Sequence, residues 1–281
     1  MSKVTKTKSI NFLAERNQHV DKVNPQYFNE SANTLFNFMK RFEFLEMVIR
    51  NLRIVPRYSV EDISYLNLKS EVNISNIAMP MLCFCDINLH QIQTHITSYG
   101  SFGIGISKQW GSEVCGIQPV NYINPASPLR DDMRLGLQEV FREHSASEDA
   151  NALLTQLKFS KPLYGKMRGV GDKNFHDEHE WRYIPKIDGP EAYNFLHDGA
   201  EYYGKWMKDD SIMDRLSDGL RDLKRDCSIR LTPDAINYIF VENNDFAVKI
   251  IEDIDELNIE KETKHLLMSK IINLEQLKGD W

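Results

Sequence analysis

Apolar residues recur along the chain at two spacings, and the first predicts a helix. From Leu35 onward, hydrophobic side chains return every three or four positions as far as Leu52, a spacing typical of a helix with one buried face. The residue before a proline disfavours the α region, so this helix is expected to end before Pro56.

The second spacing is an alternation that predicts a strand over residues 101–107. Successive side chains of a strand point to opposite faces, so Phe102, Ile104 and Ile106 share one face while Gly103 and Gly105 lie on the other. We therefore expect one apolar face that joins the core and one face of bare backbone.

Further segments predict an α+β fold. Strands are expected near residues 79–84, 118–123, 180–184 and 236–241, and helices over most of 129–164, 190–226 and 246–257. Glycine turns between neighbouring strands favour antiparallel pairing. The expected organisation is a loosely ordered lead-in over 1–30 and a single domain over 31–281, with a mixed, mainly antiparallel sheet flanked by helices and a helical insertion around 190–226.

Composition and charge restrict the function. The 281 residues are 42% hydrophobic, with a net charge of −7, so bulk nucleic-acid binding, which requires clustered Lys and Arg, is not expected. The first residues lack the apolar core of a signal peptide, and no apolar run reaches the roughly 20 residues of a membrane helix. Cys83 and Cys85 lack a second ligand pair at zinc-site spacing. We expect a cytoplasmic protein without a metal.

The segment Glu178–Arg182 carries the first candidate chemistry. On a strand, Glu178, Glu180 and Arg182 share one face. Two carboxylates at this spacing could stabilise an oxocarbenium-like cation and hold a ribose hydroxyl, and Arg182 could bind a phosphate. The structural alternative is an exposed strand face with cross-strand charge pairs.

The glycine face of residues 101–107 carries the second candidate. Glycine allows a ligand to approach the backbone closely, at Gly103 and Gly105 in particular. Tyr99 could stack on a flat base, and His95 could hydrogen-bond a sugar or carbonyl. The structural alternative is a helix packed tightly against that face.

An aromatic and basic helix face lies further along the chain. It comprises Tyr202, Tyr203, Lys205 and Trp206. We interpret it as core packing with a solvated edge rather than as a platform for nucleic acid.

Several short motifs resemble the AbiGi family of abortive-infection phage resistance. They are Met79–Ile87 (MPMLCFCDI), His95-x-x-x-Tyr99-Gly100, Phe102–Trp110 (FGIGISKQW), Pro119–Tyr122 (PVNY), Glu178–Arg182 (EHEWR) and Ile236–Val241 (INYIFV). That family is described as the antitoxin half of a two-gene system whose toxin is nucleotidyltransferase-like. The resemblance implies a protein partner, expected from a neighbouring gene.

A more distant resemblance is to ADP-ribosyltransferases. Those folds often place a His or Arg on an early strand, an aromatic residue or Ser next, and a Glu on a later strand. Here Asn37 occupies the first position, a departure from the pattern, Tyr99 supplies the aromatic residue, and Glu180 matches the late glutamate, with Glu178 two residues earlier. The resemblance implies that Glu180 holds the nicotinamide ribose of NAD while Asn37, Tyr99 and Arg182 position the cofactor.

Two classes of function therefore remain. One is an NAD-using transferase of an anti-phage system; the other is a non-catalytic antitoxin that neutralises a toxin by contact. A catalytic chain should gather Glu180, Tyr99 and the 101–107 glycine face around one cleft. A partner-binding chain should instead present a broad apolar patch.

Overall fold

The fold is taken from a computed structural model, which describes residues 31–69, 73–143, 148–167, 171–187, 191–223 and 225–278. The strands are β1 Thr34–Met39, β2 Arg53–Ile54, β3 Arg57–Asp62, β4 Leu68–Lys69, β5 Asn73–Ile74, β6 Asn76–Cys85, β7 Phe102–Ser107, β8 Gln118–Pro119, β9 Asn121–Ile123, β10 Ser160–Pro162, β11 Tyr164–Met167, β12 Gly171–Asn174, β13 Glu180–Tyr183, β14 Leu196–His197, β15 Ile229–Arg230, β16 Ile236–Val241 and β17 Ile271–Asn273. The helices are α1 Phe42–Asn51, α2 Ile92–Tyr99, α3 Lys108–Glu113, α4 Pro128–Glu143, α5 Glu148–Lys158, α6 Glu201–Trp206, α7 Asp210–Gly219, α8 Asn244–Glu256, α9 Lys261–Met268 and α10 Leu274–Leu277.

The central sheet joins its strands in the order β17-β16-β7-β1-β6-β13-β8, and β3 and β14 also pair with β6. Its pairings are antiparallel except that of β16 with β17. Helices cover the sheet. The predicted α+β class, with a mainly antiparallel sheet flanked by helices, is confirmed.

The predicted helix from Leu35 is wrong over its first turn, because that segment forms β1. All six residues of β1 pair antiparallel with β7, from Thr34 opposite Ser107 to Met39 opposite Phe102. The helical spacing is real only from Phe42, where α1 begins. Pairing with a distant strand has overridden the local pattern, as tertiary context often does.

The two faces of the sheet bury different side chains. On one face, Ile104 and Ile106 of β7 join a core that includes Leu45 of α1 and Ile250 of α8. On the other face, Phe36 of β1 and Phe240 of β16 pack with Ile92 and Ile96 of α2. Because both faces are covered, β7 is buried on both sides.

The glycines of β7 make room for aromatic rings of the neighbouring strand. A Cβ added at Gly103 would lie 2.7 Å from Cδ1 of Phe38, and one added at Gly105 would lie 2.8 Å from Cγ2 of Thr34 and 3.1 Å from the Phe36 ring. Real Cβ atoms do not approach so closely without a shift of their neighbours. The glycine face is therefore occupied by side chains of the neighbouring strand β1, whereas the structural alternative had expected a helix there.

The domain boundaries stay a prediction. Residues 1–30 lie outside the described residues. In the expected insertion at 190–226, α6 and α7 are the helices that the structure describes. Among the described residues, no helix is long and apolar enough to cross a membrane.

Candidate functional site

The turn before β13 and the alternation of β13 itself direct two charged side chains into the protein. A short 3-10 turn, Phe175–Glu178, ends at His179, whose backbone is left-handed (φ 44°). β13 then pairs with β6, so that Glu180 lies opposite Cys85 and Arg182 opposite Cys83. Glu180 is 5% exposed and Arg182 is 0% exposed. Glu180 and Arg182 share one face of β13 as predicted, whereas Glu178 lies in the turn before the strand. All three side chains are buried rather than exposed.

Arg182 binds both neighbouring carboxylates. Its Nε donates to Oε1 of Glu180 at 2.6 Å, and its Nη2 donates to Oε2 of Glu61 at 2.8 Å. Its Nη1 donates to the Lys158 carbonyl at 2.7 Å. A buried guanidinium is tolerated when it is paired in this way.

The second half of the cluster is built on Glu178. Lys161 Nζ lies 2.8 Å from Oε2 of Glu178 and 2.5 Å from Oε2 of Glu180, so it bridges the two carboxylates. Lys173 Nζ lies 2.6 Å from Oε1 of Glu178, and the Tyr99 hydroxyl donates to the same oxygen. We call Glu61, Lys161, Lys173, Glu178, Glu180 and Arg182 the ion-pair cluster.

The charges of the ion-pair cluster cancel, and they fix its protonation. Burial by itself would raise the pKa of Glu180, but the charges of Arg182 and Lys161 outweigh it and hold that pKa well below its usual value. The pKa of Glu178 is also lowered: burial opposes the shift, and Lys161, Lys173 and the Tyr99 hydroxyl outweigh it. Both carboxylates are therefore ionised at neutral pH and already bound to cations.

His95 and Tyr99 come from the last turns of α2 and stack on one another. Their ring centroids are 4.4 Å apart, and Phe38, which covers Gly103, lies 5.6 Å from the His95 ring. Burial lowers the pKa of His95 to about 4, so its imidazole is neutral at pH 7. Burial and the charge of Glu178 raise the pKa of the Tyr99 phenol.

The remaining predicted cofactor residues, Asn37, Gly103 and Gly105, take no part in the ion-pair cluster. Asn37 shares the sheet face of Ile104, opposite to the face of Phe36 and Phe38, and its Nδ2 donates to the Cys83 carbonyl at 2.8 Å. Gly103 and Gly105 are under aromatic rings. The structure thus gathers Glu178, Glu180, Arg182, Tyr99 and His95, whereas it does not open the glycine face to them. The roles predicted for these residues stay predictions.

The cations of the ion-pair cluster had not been predicted as site residues, apart from Arg182. Lys161 is on β10 and Lys173 on β12, short strands that pair outside the central sheet. Lysine is almost never fully buried unless it is paired, so the residue type gave no sign of this position. Glu61 alternates with Val60 on β3, and only the pairing of β3 with β6 brings it near Arg182.

Cys83 and Cys85 lie in surroundings that favour the neutral thiol over the thiolate, the form that binds metals and acts as a nucleophile. Burial raises the pKa of Cys85, and burial with the charge of Glu180 raises that of Cys83 well above the usual value. No group of three or more His, Cys, Asp or Glu in the described part of the chain is arranged to hold a metal ion.

Comparison with known proteins identifies the family. The sequence model of the family described as "Putative abortive phage resistance protein AbiGi, antitoxin" matches residues 52–242. The abortive phage resistance protein AbiGi of Lactococcus lactis subsp. cremoris is 31% identical over 260 residues, covering 82% of this chain and 100% of that protein. No solved structure gives a significant match. The chain belongs to the AbiGi family of abortive phage resistance proteins.

Proposed function

We propose that this chain is the antitoxin of an abortive-infection pair and that it acts by binding a protein toxin. One observation carries the proposal: Glu180 has one oxygen bound to Arg182 and the other to Lys161, and it is 5% exposed. A carboxylate that must hold a substrate hydroxyl would first have to leave two buried cations unpaired, which costs several kcal/mol. The antitoxin description of the family supports the same conclusion.

An aromatic surface supplies a site for the toxin. Tyr193 is 39% and Tyr202 is 54% exposed, and Trp206 is half-buried between them, with ring centroids 6.0 Å from Tyr193 and 4.2 Å from Tyr202. Tyr203 backs this group, 5.6 Å from both Tyr193 and Trp206. We call these four residues the aromatic patch.

The aromatic patch has the composition of a protein contact surface. Tyr and Trp are enriched at interfaces and among the residues that dominate binding energy. An ion pair of Glu201 with Lys205, 2.8 Å apart and largely exposed, borders it on α6. Exposed rings with a charged rim support the hypothesis of a partner-binding chain. The partner we propose is a nucleotidyltransferase-like toxin encoded by a neighbouring gene.

Co-expression tests the proposal. The gene beside this one is expressed in the presence of the native chain, of a Tyr202→Ala/Trp206→Ala variant, or of a Glu139→Ala/Arg142→Ala control, which removes an exposed ion pair of α4 outside the aromatic patch. We expect the native chain and the control to relieve growth arrest and to co-purify with the toxin. The affinity of the aromatic variant for the toxin should fall at least tenfold. Its melting temperature, compared with that of the native chain, shows that it is folded. Equal rescue by the aromatic variant would show that the aromatic patch is not the toxin-binding site. Absence of any complex with the toxin would contradict the antitoxin proposal as a whole.

NAD turnover tests the competing enzyme hypothesis. The native protein and Glu180→Gln are incubated with NAD, alone and with extract of infected cells, and nicotinamide release is measured. We expect no release by either protein. Release by the native protein that Glu180→Gln abolishes would overturn the proposal and make Glu180 catalytic.

A further inference from the structure

A large cleft lies where two strands separate along β6. β6 pairs with β1 at Cys85 and with β3 from Met81 to Asn76. Between these pairings, Met81, Leu82 and Cys83 line a cavity of about 710 Å³ together with residues of β1, α1 and β3. Cavities of roughly 300–1,000 Å³ hold small-molecule ligands. We call this cavity the cleft.

The lining of the cleft is cationic, although the chain is acidic. Lys40, Arg53, Arg57 and Arg221 contribute to it, against Asp222 as the acidic residue. The net charge of the whole chain is −7. With Asp214 and Asp218, which pair with Arg57 and Arg221 beside the lining, four cations still face three carboxylates. A concave surface whose sign is opposite to that of the rest of the protein favours an anionic ligand.

Neighbouring groups position these cations. Arg57 Nη2 lies 2.5 Å from Oδ1 of Asp214 on α7, and Arg221 Nη2 lies 3.2 Å from Oδ1 of Asp218. Arg53 Nη2 donates to the Arg221 carbonyl at 3.3 Å. A guanidinium has five N–H donors, so such contacts orient it without exhausting its capacity. Oriented guanidinium groups suit bidentate binding of phosphate.

Aromatic and amide groups complete the lining. The Arg57 guanidinium lies 4.9 Å from the centroid of the Phe44 ring, and Tyr58 and Tyr99 also border the cavity. Asn37 and Asn51 add amide groups there. His95 already stacks on Tyr99, and Arg41 and Arg57 lie over the Phe44 ring, so a planar base would meet these rings edge-to-face. Amides hydrogen-bond base edges or sugar hydroxyls.

From this combination we infer that the cleft binds a nucleotide, with its phosphate on the cations and its base against the aromatic rings. This site goes beyond the proposed antitoxin function and does not depend on it, because the aromatic patch contributes Trp206, Tyr202, Tyr203 and Tyr193 and none of them lines the cleft. Nor does the inference require the ion-pair cluster to open: Tyr99 borders the cleft, whereas Glu178 and Glu180 do not.

Titration calorimetry on the full chain tests the inference with AMP, ATP, NAD and inorganic phosphate as probes. We expect at least one of the three nucleotides to bind with one site per chain and a Kd below about 1 mM, at least tenfold more tightly than phosphate. Lys40→Gln and Arg53→Gln should each weaken that binding at least fivefold. The matched control is Lys205→Gln, an exposed lysine outside the cleft, which should leave the Kd unchanged.

Lys40 is exposed, so its variant keeps the test valid if Arg53→Gln does not fold. Absence of binding by all three nucleotides would overturn the inference, and so would equal weakening by Lys40→Gln and Lys205→Gln. Phosphate that binds as tightly as the nucleotides would overturn the role of the aromatic rings. Toxin binding is read in a separate assay, so failure of one proposal is distinguishable from failure of the other.

Discussion

The ion-pair cluster and the cleft are both rich in charged side chains, but they use them differently. In the cluster, three carboxylates and three cations neutralise one another, and Glu178, Glu180 and Arg182 are almost fully buried. In the cleft, four cations and Asp222 line an open volume of about 710 Å³, and Asp214 and Asp218 of α7 hold two of those cations. Tyr99 belongs to both, since it borders the cleft and donates to Glu178. The type of residue is therefore a poor guide to function here. What distinguishes the regions is that the paired charges of the cluster are buried, whereas the guanidinium groups of the cleft, of which those of Arg57 and Arg221 are also paired, border an open volume.

Removal of the central cation of the cluster should give the largest effect. Arg182→Met leaves Glu61 and Glu180 without the guanidinium that joins them, and breaking a buried pair in this way costs about 3–5 kcal/mol. The matched control is Arg230→Met, which removes an exposed partner of Asp226 and should cost less than about 1 kcal/mol. Urea unfolding of both variants provides the measurement. Equal losses would show that the cluster contributes no more than a surface pair.

As the pH falls, the protein should lose stability through His95 first, and through protonation of the carboxylates only at lower pH. Burial lowers the pKa of His95 from 6.5 to about 4, so the unfolded chain takes up a proton first, and stability present above pH 6.5 is lost as the pH falls to about 4. The two pKa values correspond to about 3 kcal/mol at most. The lowered pKa of Glu178 gives a separate loss below its unfolded value of 4.5.

The pH dependence of the urea midpoint measures this effect. Glu178 and Glu180 favour the protonated imidazole, while Lys173 and Lys161 oppose it. His95→Gln should flatten the curve between pH 6.5 and 4 and leave the steeper loss at lower pH. A variant whose curve runs parallel to that of the native chain would contradict the assignment.

The hydroxyl of Tyr99 joins the two regions, and its removal should give an intermediate effect. Tyr99→Phe deletes the hydrogen bond to Glu178, and hydrogen bonds to charged groups contribute about 1.5–3 kcal/mol. The ring remains in the cleft, so nucleotide affinity should change less than twofold. Tyr202→Phe, at an exposed ring, is the control for stability. Thermal melts measure the loss of stability, and calorimetry on the same samples measures nucleotide affinity. A large loss of affinity with no loss of stability would show that the Tyr99 hydroxyl serves the cleft rather than the ion-pair cluster.

Substitution of a cleft cation should have the smallest effect on stability. Lys40 is exposed, and surface substitutions away from caps and buried groups usually change stability by less than about 0.5 kcal/mol. We therefore expect Lys40→Gln to unfold at the same urea concentration as the native chain, within error. A loss of stability comparable to that of Arg182→Met would show that Lys40 stabilises the fold in the same way as the cations of the ion-pair cluster.

Regular alternation allowed much of the fold to be predicted. The strand at Ile236–Val241 was predicted with the bounds that the structure gives it, and the strand with Gly103 and Gly105 was predicted within one residue. Leu35 was placed in a helix because its neighbours also fit a three- and four-residue spacing, and only pairing with β7 decided the matter. The spacing of apolar residues around Leu35 contains no information about β7, its partner strand, which lies some 70 positions later in the chain.

The sequence by itself determined the α+β class, the family and the face shared by Glu180 and Arg182. These follow from alternation and from short motifs, which are local properties of the chain. Only the tertiary structure decided that this face is buried, that Lys161 and Lys173 neutralise the nearby carboxylates, and that Phe36 and Phe38 fill the glycine face. The cleft, too, exists only because β1 and β3 separate along β6. Burial and charge pairing depend on contacts between residues distant in sequence, and those contacts determine which charged groups are available to a ligand.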